Sequence, residues 1–235
     1  MKKIIYLIFL LTILSCNGQD KKVVNSIANE PNPIKHSTMN TQNSYKNLIS
    51  DNTEHFDIKY FNTHKDEAEN LIYTDNFGNN INIFGDNENG YISNTTPKNS
   101  LFTIYKEYNS KGVIKQKWVN FRNGGGPVGI KYEFDDTGKL IKETDMDKNY
   151  KITSDDIFSY CKKNGIDLFS DYTVIDKNYN DNPMNRYIIN YRGKYEEKYG
   201  SRIIIVVDGI SGNIIKVTCI NGKHNDSVEI LYEKK

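Results

Sequence analysis

Polar and apolar residues alternate along most of this chain. Ile130, Tyr132 and Phe134 are interleaved with Lys131 and Glu133, the period of a strand with one face buried. Asp135-Asp136-Thr137-Gly138 follows as a turn, with Gly where a left-handed backbone costs it nothing, and Leu140, Lys142 and Thr144 run back as the return strand. The same reading predicts strands over Phe56–Phe61, Asn70–Thr74, Ile81–Phe84, Leu101–Tyr108 and Ile114–Phe121 before this hairpin. After it, strands are expected over Tyr172–Asp176, Arg186–Tyr191, Ser201–Val207, Ile214–Ile220 and Val228–Tyr232. One helix is expected, Asp155–Asn164, because Ile157, Phe158, Tyr160 and Cys161 share one broad side, Thr153 or Ser154 can cap its start, and Gly165 can stop it. The fold class is therefore α+β: a predominantly antiparallel sheet of hairpins over 45–150, then a helix packed on a C-terminal sheet over 151–235.

The two ends of this pattern differ. Lys2 and Lys3 precede the apolar run Ile4–Leu14, which is too short to span a bilayer and suits the core of a secretory signal over residues 1–15. From 16 to 44 periodicity is lost, aromatics are nearly absent and Pro31 and Pro33 stand close together. Such a stretch buries too little apolar area to offset its ordering entropy, so a flexible tether is expected, with His36 solvated in it. Ile13-Leu14-Ser15-Cys16 resembles the lipobox of bacterial lipoproteins. The resemblance implies cleavage before Cys16, lipid on Cys16, and a protein that is exported and held to the cell envelope, periplasmic or surface-facing, by its acyl chains.

Composition narrows the partners. Without residues 1–15 the chain carries 29 basic and 30 acidic side chains, interleaved throughout, so no basic face for nucleic acid is expected and the membrane is met through lipid rather than charge. Hydrophobic residues make up 37% and aromatics 12%, with 17 Tyr and 10 Phe, which points to a core of strand-favouring aromatics.

Local motifs add chemistry. Tyr108-Asn109-Ser110-Lys111-Gly112-Val113-Ile114 aligns with Phe134-Asp135-Asp136-Thr137-Gly138-Lys139-Leu140, and Asp75-Asn76-Phe77-Gly78 is a looser third copy. This is similar to the YD-type hairpin repeats of exported bacterial proteins. Gly124-Gly125-Gly126-Pro127, beside Trp118 and Phe121, reads as a mobile connection whose backbone a partner could approach closely. Asp145, Asp147, Asn149, Lys151 through its carbonyl, and Asp156 fall at the spacing of a calcium loop, since a hard cation needs several oxygens on a short wrapped backbone. The loop resembles an EF-hand, although Tyr150 stands where Gly is wanted and Asp156 where Glu is. The alternative is a polar turn feeding a helix capped by Thr153 or Ser154, and the two are compatible, since the exiting helix of a calcium loop is capped by the same residues. The order helix, strands and a VVDGISGNIIKV hairpin over about 151–220 resembles the PepSY module, which implies an interaction role rather than catalysis.

Cys161 and Cys219 are expected to face the same core, either as a disulfide, which would contribute roughly 4 kcal/mol, or as buried thiols. His36, His55, His64 and His224 show no metal spacing, and no nucleophile motif is present. The function expected is a non-enzymatic protein-binding lipoprotein of the envelope (inhibitor, immunity-type factor or scaffold), with a calcium-binding structural module or a hydrolase using paired carboxylates as alternatives.

Overall fold

The computed structural model describes residues 24–25, 30–36, 45–177, 185–222 and 227–235. The expected signal segment 1–15 and Cys16 lie outside them, as does most of the expected tether. The described elements are β1 (Val24–Asn25), α1 (Ile58–His64), β2 (Asn70–Thr74), β3 (Asn80–Asp86), β4 (Gly90–Thr96), β5 (Phe102–Tyr108), β6 (Ile114–Phe121), β7 (Pro127–Phe134) and β8 (Leu140–Asp145). There follow α2 (Ser154–Lys163), β9 (Val174–Lys177), β10 (Arg186–Tyr195), β11 (Lys198–Asp208), β12 (Ile214–Asn221) and β13 (Ser227–Glu233). The class is α+β and mainly antiparallel. Strands β2 to β8 form a seven-stranded meander in sequence order, and the second sheet runs β1-β13-β12-β11-β10-β9, with only the β1–β13 pair parallel.

The three repeat copies adopt one geometry, which explains their shared letters. In each, the leading Asp or Asn accepts at its backbone carbonyl from the Gly three residues on, and its backbone N–H donates to the residue four on: Asp75 with Gly78 and Asn79, Asn109 with Gly112 and Val113, Asp135 with Gly138 and Lys139. Its side-chain oxygen also accepts from the N–H groups two and four residues ahead. This is a type I turn closed by a bulge, which demands a left-handed residue; Gly78, Gly112 and Gly138 have φ of 84°, 78° and 83°.

Two expectations about strands are corrected. Phe56–Phe61 alternates like a strand, yet Ile58–His64 is a helix, because Asp57 accepts from the Tyr60 N–H at 2.8 Å and caps it. Phe56 and Phe61 are then thrown together onto Tyr91, with ring centroids 4.5 and 5.5 Å from it. Strand β4 was not expected: Ser93, Asn94, Thr95 and Thr96 are polar on both faces. Its inner Ser93 faces Ile83 on one side and Lys106 on the other, so pairing rather than hydrophobicity places it.

The inner face of the meander packs in two places. At one end Leu71, Ile83, Tyr91, Tyr108, Ile114 and Phe134 close over Phe61 of α1. At the other, Phe102, Val119, Phe121 and Val128 join Ile157, Phe158 and Cys161 of α2 and the inner face of β9 to β12 in one core. Ring contacts of Phe158 with Phe102 and Phe121, at 5.6 and 5.8 Å, cross the boundary expected near 150. Residues 30–36, expected within the tether, lie in this body: Ile34 is buried and its N–H donates to Gly212 O at 2.8 Å. Ile34 and its paired N–H, with His36 against Asp156, seat a segment whose other residues are polar or proline.

Between the two packing centres a segment of 52–54 is fastened to the sheet by charge. Lys117 is fully buried; its Nζ donates to Asn52 O and Glu54 Oε1, both at 2.6 Å, and lies 5.3 Å from the centre of the Phe134 ring. Lys106 donates to the other oxygen of Glu54.

Candidate binding face

Strand register assembles a surface on the opposite side of the meander. Its middle row runs Ile72, Asn82, Asn94, Tyr105, Trp118 across β2 to β6, and a second runs Asn80, Thr96, Thr103, Asn120. A third begins with Phe84 and Ile92 and continues with Glu107 and Gln116. Every one of these side chains keeps some exposure, whereas Leu71, Ile83, Tyr91, Val119 and Phe121 on the inner side are buried. Ile72 and Phe84 are 72% and 37% exposed, which makes an apolar corner at the β2 end.

At the centre of the face Tyr105 and Trp118 stack with centroids 3.9 Å apart, and the Lys131 ammonium lies 5.1 Å from the Trp118 ring. The indole N–H is taken by Asn120 Oδ1 at 2.8 Å, and Thr96 and Thr103 share a hydroxyl hydrogen bond of 2.8 Å. Asn82 and Asn94, directly opposite each other, make no side-chain hydrogen bond among the described residues, so their amides are open to a ligand. A shallow hollow of about 420 Å³ lies over Asn80, Asn94, Thr103 and Asn120. Charges stand at the margin and are matched there: Lys115 and Gln116 donate to Glu107, and Lys142 to Glu133. Apart from Lys131, the centre holds aromatics and neutral amides, with further charges paired toward the margin.

The residues expected to hold calcium make the following contacts. Asp147 accepts from Tyr45 Oη at 2.8 Å, from the Gly129 N–H at 2.9 Å, and from the Lys177 ammonium, which also donates to Met146 O at 3.1 Å. That ammonium is buried and sits 4.0 Å from the centre of the Tyr150 ring and 5.6 Å from that of Tyr187. The cation held on these loop oxygens is thus a lysine supplied by β9. Burial presses the Lys177 amine below its ordinary value, and Asp147 opposes that shift. Asp145 accepts the Asp147 N–H at 2.8 Å. Asn149 is bound through its carbonyl by Asn185. Lys151 donates its N–H to Gly209 O. Asp156 turns inward as the second half of a capping box, accepting the Thr153 N–H and hydroxyl, both at 2.8 Å. The start of α2 thus carries the capping box expected of a polar turn feeding a helix, a feature a calcium loop shares, and the described residues contain no group of three or more His, Cys, Asp or Glu side chains gathered as for a metal.

Other sequence candidates resolve similarly. Cys161 and Cys219 are both free and buried in the shared core, and burial pushes the Cys161 thiol up to about 12. His36 is exposed but not unpartnered, since its Nδ1 lies 3.2 Å from Asp156 Oδ2 beside a cavity of about 850 Å³ between residues 30–36, α2 and β10. The glycine loop serves an internal approach rather than an external one. A Cβ on Gly125 would stand 2.1 Å from Ile175 O, and one on Gly126 would stand 2.6 Å from the Lys177 N–H nitrogen, so only glycine lets the loop lie along β9. Asn123 fixes the same junction by donating to Ser170 O and Thr173 O. No family model, no curated protein and no solved structure matches this chain.

Proposed function

We propose that this chain is a non-enzymatic binding protein, exported and lipid-anchored through Cys16 to the bacterial cell envelope, which captures a protein partner on the solvent face of its meander. One observation carries the reading: the inner face of the seven-stranded sheet is packed at both ends, while the outer face presents the Tyr105–Trp118 stack, with Lys131 against it, among open amides. Aromatic anchors in a charge-poor centre supply most of the energy of such interfaces. An inhibitor, an immunity-type factor and a scaffold all use a face of this kind. Sequence supports the anchor, through Ile13-Leu14-Ser15-Cys16 and the charged and apolar residues before it.

Affinity capture from envelope extracts tests it, with the wild-type chain and Trp118→Ala as paired baits. Loss of a central aromatic anchor costs about 2 kcal/mol or more, roughly thirtyfold in affinity, so partners enriched by the wild type are expected to fall to background with the variant. Equal recovery of the same proteins by both baits would remove this face from the account.

A further inference from the structure

The two free edges of the meander are guarded unequally. Strand β8 carries Lys142, Glu143 and Asp145, the charges by which an edge is kept from pairing with another chain. Strand β2, Asn-Leu-Ile-Tyr-Thr, carries no charge and no proline. The Asp75–Asn79 turn bond sets the ladder phase: Tyr73 with Ile81 and Leu71 with Ile83 become the hydrogen-bonded pairs, so the N–H and C=O of Asn70, Ile72 and Thr74 point away from β3. Among the described residues this edge is closed at one end only. Asp66 donates its N–H to Asn70 O at 2.7 Å and accepts the Asn70 N–H on its side chain at 2.8 Å. Ile72 and Thr74 are left facing out, with Ile72 72% exposed and Phe77, in the adjoining turn, 82% exposed.

Charge around the edge selects among strands that could pair there. Asp66 and Glu67 stand at its start, where Glu69 and Lys65 are paired with each other, and Asp75 at its end, with Lys98 packed under Gly78 on the turn side. A second copy paired antiparallel would bring the acidic end of one chain against Asp75 of the other. We infer that β2 is a docking edge for an extended segment of a partner protein, one that alternates small apolar residues, carries no charge in the middle, and has Lys or Arg at its flanks. Four backbone hydrogen bonds, from Ile72 and Thr74, hold the strand, and its side chains lie against Ile72 and Phe84 on the outer face. This rests on the protein-binding reading, but it does not need the aromatic stack.

The test uses two labelled peptides, Lys-Val-Thr-Val-Thr-Val-Lys and Glu-Val-Thr-Val-Thr-Val-Glu, titrated against the full chain by fluorescence anisotropy at low salt. The basic peptide is expected to bind about tenfold more tightly than the acidic one. Ile72→Pro removes an outward N–H without touching the β3 ladder and is expected to weaken binding about tenfold. Glu67→Lys, an exposed change that leaves the strand intact, is expected to narrow the preference between the peptides. Lys162→Ala, exposed on α2 and outside both surfaces, is expected to leave both affinities unchanged, and because the aromatic face is read by capture and this edge by titration, failure of one is told apart from failure of the other. Absence of binding by the wild type, equal binding of the two peptides, or indifference to both β2-edge changes would overturn the inference. So would a wild-type dimer in sedimentation that Ile72→Pro dissociates, since the edge would then belong to a second copy.

Discussion

Glu54→Ala is expected to destabilise the protein by about 3–5 kcal/mol, the cost of leaving a buried charge without its partner. Lys117 has no access to solvent, and among the described residues Glu54 is the only carboxylate bonded to it, its remaining partners being Asn52 O and the Phe134 ring. Melting temperature should fall by roughly 10 °C, given the size of the chain. Adding Lys117→Met to that variant removes the stranded ammonium and should recover most of the loss, which a simple packing defect at Glu54 would not do. The pair also has a pH signature. Burial alone would raise the Glu54 carboxyl, but hydrogen bonds from Lys106 and Lys117 outweigh it and hold it below its ordinary 4.5. A depressed carboxyl stabilises the fold above its unfolded value, and this contribution is lost as the pH falls through the folded value. The wild type should therefore lose stability faster than Glu54→Ala on acidification below about 4.5.

Asp147→Ala should cost a comparable amount, about 3–5 kcal/mol, by stranding the Lys177 ammonium among Tyr150, Tyr187 and Met146 O. Its pH dependence has the opposite sense. The Lys177 amine is already pressed below its ordinary 10.5 by burial, and removing Asp147 deletes the group that opposes this. For an amine depressed in the fold, the penalty is complete below the folded value and is relieved as the pH rises toward 10.5, where the unfolded lysine also loses its proton. The gap between wild type and Asp147→Ala should therefore close toward alkaline pH. Calcium should leave the melting temperature of the wild type unchanged, because the Lys177 ammonium already engages Asp147. A calcium-dependent rise lost in Asp147→Ala would show the loop to be a metal site after all.

The hairpins were legible in sequence because their turns are specified within five residues: an Asp or Asn, a Gly three later, and apolar alternation on each side. Helix α2 was legible for the same reason, with its cap, apolar side and stop all local. Strand β4 was not, since Ser93 to Thr96 take their strand identity from β3 and β5. In Phe56–Phe61 two local signals competed, and the cap at Asp57 prevailed over the alternation. Around 145–156 the sequence displays the oxygens but not the cation, because Lys177 lies thirty residues further on and arrives only through the second sheet. The outer face follows the same rule. Asn82, Asn94, Tyr105 and Trp118 lie on four different strands, and their convergence into one row depends on three strand registers that no local pattern fixes.

Site-specific photo-crosslinking in living cells tests the binding face most directly, with a photoreactive residue placed at Asn94, in the middle row, or at Lys162, exposed on α2. The account predicts a discrete higher-mass adduct from position 94 that disappears in the Trp118→Ala background, and none from position 162. An adduct from 162 with none from 94 would contradict it and move the contact surface to the helix.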